Sequence, residues 1–177
     1  MRFYYFVILL FVFTGELFAQ EKEVIMEKMG NNSSAWEKDT LPLSPDEKER
    51  YKEFTITLSR FDVETTVNRI KQNLKEMEIP VFALFDHGKN AREVDLDLRP
   101  TQVIVFGSPR VGTLLMQENQ LISLELPLKI AVWEDAEGKI WVGFLQMKNR
   151  VRNYGLEQSP IIDKMQLLLE DIVKKSV

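Results

Sequence analysis

Cysteine is absent from the 177 residues and histidine occurs once. The first absence excludes disulfides, thiolate nucleophiles, Cys-ligated zinc and iron–sulfur clusters. The second excludes multi-histidine metal sites and paired-histidine chemistry, so neither a metal nor a cofactor is expected. A basic excess is also missing. There are 23 Lys and Arg against 27 Asp and Glu, a net charge of −4, which argues against nucleic-acid binding. Long hydrophobic runs are scarce. The one at Phe3–Phe13 has the length of a signal-peptide core and is too short to span a bilayer as a helix.

That run follows Arg2 and ends near Ala19, a small residue at a cleavage position. Residues 1–19 therefore read as a signal peptide, and the mature chain begins near Gln20 in the periplasm or outside the cell. No cysteine follows to carry a lipid, so no stable membrane anchor is expected. Without disulfides, an oxidising compartment leaves stabilisation to the core. A 45% hydrophobic fraction is enough for an ordinary one.

Residues 20–53 are dense in charge and turn formers and read as a polar tail or linker. A single domain is expected over 54–177. It opens with "FTITLS", where Phe54, Ile56 and Leu58 alternate with Thr and Ser as in a half-buried strand. Asp62 is placed to cap a helix whose stripe is Val63, Val67, Ile70, Leu74 and Met77, and Pro80 stops it. "VFALFDH" is apolar on both faces, which predicts a central strand. "TQVIVFG" is a third strand, and "LLMQEN" a short helix. "ISLELPLKIAVWED" reads as a strand bent or interrupted by its proline, joined through "AEGK" to "IWVGFLQM" as a hairpin. A final helix begins at Ser159 and Pro160, with a stripe of Ile161, Met165, Leu168, Leu169 and Ile172. The order is strand, helix, strand, strand, short helix, strand, strand, helix. It predicts an α+β fold, an antiparallel sheet with two long helices on one face.

"FGSPRVGTLLMQ" at 106–117 resembles a phosphate loop without its lysine. Gly107 and Gly112 have the spacing of such a loop, but Thr113 stands where the lysine belongs and Pro109 removes a backbone donor. Two readings stand for it. Gly107, Ser108, Arg110, Gly112 and Thr113 can form a small anion nest at a helix N-terminus. Alternatively the stretch is a tight turn in which Thr113 caps the next helix and Gly112 supplies an unusual backbone angle.

His87 is the only imidazole. With Ser108 or Thr113 in reach it could serve a small hydrolase or isomerase, although no G-x-S-x-G elbow is present to activate a serine. Asp86 and His87, adjacent on a strand, point to opposite faces. Asp95 and Asp97 with Glu134 and Asp135 form carboxylate-rich loops without the spacing of a calcium site. Trp133, Trp141, Phe106 and Phe144 belong to the core or line a small apolar pocket, with Trp133 a candidate ligand contact.

"FDH" at 85–87, "LRPTQVIVFGSPRVGTLLMQ" at 98–117 and "LPLKIAVWEDAEGKIWV" at 126–142 resemble the bacterial family called domain of unknown function 302. The resemblance runs from about Thr55 to the C-terminus. It implies a compact α+β fold and a homodimer, and no established reaction. Ser108, Leu114, Phe144 and Tyr154 replace an asparagine, a proline, a tyrosine and a second histidine of the family pattern. Two functions remain. The first is an exported, non-catalytic domain that binds a small molecule, an anionic ligand or a protein partner through its sheet and the 106–113 loop. The second is an enzyme built on His87.

Overall fold

The computed structural model describes residue 46 and residues 51–177. The sequence readings for residues 1–19 and most of 20–53 lie outside the described residues. From Phe54 onward the elements are strand β1 (Phe54–Ser59), helix α1 (Val63–Glu76), β2 (Val81–Asp86), α2 (His87–Arg92), β3 (Thr101–Phe106) and α3 (Pro109–Glu118). There follow a 3-10 turn (Gln120–Leu124), β4 (Leu128–Glu134), β5 (Ile140–Leu145), α4 (Met147–Arg150), a second 3-10 turn (Val151–Tyr154) and α5 (Pro160–Ser176). The five strands form one antiparallel sheet in the order β1-β5-β4-β3-β2. The protein is α+β, as its pattern of strands and helices predicts.

Helix α1 begins where Asp62 accepts hydrogen bonds from the Thr65 backbone N–H (2.7 Å) and hydroxyl (2.8 Å). These bonds hold the carboxyl below its ordinary value. Val63, Val67, Ile70 and Leu74 are buried, the stripe the spacing predicts. Helix α5 packs against α1 with Met165, Leu169 and Ile172 of the expected stripe buried; Ile162 and Val173 join them, while Ile161 and Leu168 are half-buried at its margin. Arg69 fastens the two helices by donating to the carbonyls of Ser176 (2.9 Å) and Lys175 (3.0 Å). A cation at a helix C-terminus is favourable against the helix dipole.

Side chains alternate across a strand, and the alternation divides the sheet into two faces. Ile104, Phe106, Leu128, Ile130, Val132, Val142 and Phe144 share one core cluster with residues of α1, α3, α4, α5 and both 3-10 turns. The opposite parity contributes nothing to that cluster. There lie Phe54, Ile56 and Leu58 of β1, Val103 and Val105 of β3, Ala131 and Trp133 of β4, and Trp141 and Leu145 of β5.

Three expectations are corrected. The polar side of β1 turns inward: Thr57 and Ser59 are buried, and the Ser59 and Thr66 hydroxyls satisfy each other at 2.8 Å. Strand β2 is an edge and not central, because β3 pairs with it on one side only. Residues 120–124 form a 3-10 turn, so β4 starts only at Leu128, after Pro127.

Ile70 and Leu74 are fully buried. Either changed to Ala should cost about 2–5 kcal/mol, measured by chemical denaturation. A cost below about half a kcal/mol, the range of surface changes, would contradict this packing.

Candidate functional site

The 106–113 stretch leaves β3 and enters α3. Ser108, not Thr113, is the N-cap, its hydroxyl accepting from the Val111 N–H at 3.5 Å. Pro109 occupies the first helical turn, where a missing N–H costs nothing. Thr113 already lies inside the helix and donates to the Pro109 carbonyl at 2.7 Å. Gly112 is helical, with no left-handed angle. A Cβ there would meet Leu126 Cδ1 at 3.6 Å and Met116 Cε at 4.0 Å, ordinary contacts. Serine capping therefore explains this turn, without the special backbone angle expected of Gly112. Gly107 sits beside the Phe82 ring, and Arg110 is exposed. Thr113 also lines an open groove with Met116, Gln117, Asn119 and Ser123.

His87 lies at the other end of the sheet. The register pairs Val81 with Phe106 and Asp86 with Gln102, so a strand's length, roughly 17 Å, separates the His87 end from Ser108 and Thr113. Asp86 ends β2 and caps α2, accepting from the Lys89 N–H at 2.8 Å and from Gln102 Nε2 at 3.4 Å. Its carboxylate is thus committed to the backbone and to Gln102. His87 is exposed and stacks on Phe85, with ring centroids 6.3 Å apart and an interplanar angle of 16°.

The sheet brings His87 and Trp133 to the same end. Trp133 pairs with Thr101 on one side and with Trp141 on the other. Phe85 pairs with Val103, which puts it on the face that carries Trp133. Gly143 makes room for the Trp133 ring: a Cβ at that position would come within 2.9 Å of Cζ3 and 3.1 Å of Cη2. Trp141 is fixed by donating Nε1–H to Asp135 Oδ2 at 2.7 Å. Asp135 also accepts the N–H groups of Glu137 and Lys139, each at 2.9 Å. The Trp141 hydrogen bond is the main reason its carboxyl lies below the usual range. Phe85 and Trp133, with His87 stacked on Phe85, thus lie on the face away from the core cluster, and Trp141 on the same face is buried.

A polar cluster that the sequence did not disclose closes the other end. Glu125 is buried and accepts from Arg150 Nη2 (2.8 Å), Arg150 Nε (3.2 Å) and the Tyr154 hydroxyl (2.7 Å). Arg150 reaches onward to Glu53 at 3.1 Å. Burial alone pushes the Glu125 carboxyl up. The Tyr154 and Arg150 hydrogen bonds outweigh it, and the group lies below its usual 4.5. The same bond raises Tyr154. Residues 125, 150 and 154 are far apart in sequence, and their only signal was Tyr154 standing where the family pattern has a histidine. Among the described residues no buried side-chain nitrogen or oxygen lacks a hydrogen bond, so the cluster is a satisfied clasp. Asp95 and Asp97 are exposed, and no group of three or more His, Asp or Glu among the described residues is arranged to hold a metal.

These features define a two-layer α+β domain with helices on one face of its sheet and aromatic side chains on the other. The chain belongs to the family "Domain of unknown function DUF302", whose model matches residues 54–174. The crystal structure of an uncharacterized conserved protein of that family from Bacillus stearothermophilus has the same fold. Its TM-score is 0.62 at 19% identity, covering 71% of this chain and 98% of that one. An 84-residue stretch, 48% of the chain, is 44% identical to "Fluoride-specific ion channel FluC 1" of Brucella suis biovar 1 (strain 1330). It is equally similar to the protein of that name from Brucella abortus biovar 1 (strain 9-941). The match covers 33% and 31% of those proteins, so the chain spans about a third of the length of these curated relatives. No described helix is long and apolar enough to cross a membrane.

Two outcomes follow from this geometry. Gly112→Ala should be neutral or stabilise the protein by up to about 1 kcal/mol, because alanine favours a helix over glycine and the space is open. A lowered melting temperature would show that the position needs glycine after all. Glu125→Gln should cost about 1–3 kcal/mol at neutral pH. A carboxyl with a depressed folded pKa adds stability above its unfolded value and loses it as pH falls through the folded one. The gap between Glu125→Gln and the parent should therefore close in acid, as followed by denaturation across pH.

Proposed function

We propose that the chain is an exported, non-catalytic binding domain that takes a small apolar molecule against the aromatic face of its sheet. One observation carries the reading: Phe85 and Trp133 lie on the face away from the core cluster without being buried, and His87 stands at its rim. Aromatic side chains that the core does not use offer apolar contact at low entropic cost, and flat ligands stack on them. Gly143 pre-positions the Trp133 indole, which reduces what binding must order. Export rests on the first nineteen residues and places the domain in the periplasm or outside the cell. The Brucella relatives are named as fluoride channels. Since the chain spans about a third of their length, we take from them only that a segment like this one can be part of a channel protein. An anion at Arg110 has the α3 N-terminus for support and nothing further. Catalysis by His87 with Ser108 or Thr113 has no geometric support, given the strand between them.

Titration with a long-chain fatty acid and with a naphthalene dye, followed by tryptophan fluorescence, tests the reading. Saturable quenching is expected. Trp133→Ala should weaken it at least about tenfold, in line with the loss of an aromatic anchor, while His87→Ala keeps most of it. Flat titrations with both probes, or equal binding by Trp133→Ala, would overturn the proposal.

A further inference from the structure

Charge on the sheet face away from the core cluster is confined to one strand residue. Side chains at alternate positions of a strand share a face, so β4 presents Lys129, Ala131 and Trp133 there. Lys129 pairs with Val105, and Ala131 pairs with Val103 and Gly143. Among the described residues, every other strand position on this face is uncharged. Lys129 is exposed. Its ammonium donates to the Pro127 carbonyl at 3.1 Å, which leaves its other protons for further acceptors. Its field helps to hold the Glu125 carboxyl down, but that carboxylate is already bonded by Arg150 and Tyr154. Between Lys129 and Trp133 the floor is low. Ala131 and Gly143 carry little or no side chain, and the Trp133 ring leans over Gly143, toward the Lys129 end.

We propose that this face takes an amphipathic carboxylate, with the acid group at Lys129 and the apolar body lying over Ala131 against Trp133. The inference rests on the aromatic-face reading above and adds the chemical class of the ligand. Charge selects the head. A lone ammonium in an apolar field is complementary to a single anionic group, and a charge-assisted hydrogen bond there is stronger than a neutral one. Distance selects the body. Four residues of strand separate Lys129 from Trp133, roughly 14 Å. At roughly 1.2 Å per bond of an extended chain, about ten carbons cover most of that span. His87 and Arg110 stand off the strands, in α2 and α3, so neither replaces Lys129 on the face itself.

Decanoate, decanol and decylamine carry the same apolar body under an anionic, a neutral and a cationic head. Their dissociation constants, read from tryptophan fluorescence at concentrations too low for self-association, test the assignment. Decanoate should bind about tenfold more tightly than decanol, and decylamine more weakly than either. Lys129→Met keeps the aliphatic stem without the charge and should abolish the preference for decanoate, whereas Lys129→Arg should keep it. Lys139→Met removes an equal charge from the β4–β5 turn and should leave the ratio unchanged. Melting temperatures establish that each variant is folded. Equal affinity of the parent for decanoate and decanol would overturn the proposal. So would a preference that survives Lys129→Met, or one that is lost in His87→Ala. Decanol binding without a preference for decanoate removes the head-group assignment and leaves the aromatic-face reading standing, while flat titrations with all three probes remove both.

Discussion

The contact between the apolar stripe of α1 and one face of the sheet organises the molecule. Ile70 and Leu74 enter the cluster that holds Ile104, Ile130 and Val142. Once that face is covered, α5 has a place beside α1, and the short helices after β3 and β5 fill the remaining margin. The opposite face is then left to other uses. Its tryptophans are held by local devices, a glycine opposite one ring and a carboxylate hydrogen-bonded to the other.

Much of this arrangement is legible in the sequence because it depends on local spacing. Asp62 ahead of a three-and-four repeat gives α1, and Pro160 gives the start of α5. The two strands around "AEGK" give the hairpin. What the sequence conceals is long-range. An apolar run such as Val81–Phe85 looks alike whether a strand flanks it on two sides or on one, since burial is decided by neighbours far along the chain. Alternation in β1 shows that two faces differ, but not which one meets the helices. Here the hydroxyls of Ser59 and Thr66 satisfy each other, so the polar side can be buried at little cost.

The candidate site divides along the same line. The sequence points to the turn at 106–113 and to His87, and both are real features of the fold. Serine and threonine in that turn are equally good caps on paper. The helix starts one turn earlier than its apolar pattern, and that makes Ser108 the cap. Strand pairing then separates the turn from His87 and brings His87 toward Trp133 instead. The Glu125 clasp could not be read at all. Its members come from three segments, and a buried carboxylate is recognisable only when its partners are seen.

The pairing of first elements with final ones also bears on how the chain comes to be folded. Among the described residues strand β1 pairs only with β5, and Arg69 of α1 grips carbonyls more than a hundred residues away. A nascent polypeptide therefore cannot complete this core until α5 has been synthesised. Contacts of such wide separation form slowly, because the intervening loop must be closed first. Late closure leaves the apolar stripe of α1 only partly covered until the last helix arrives.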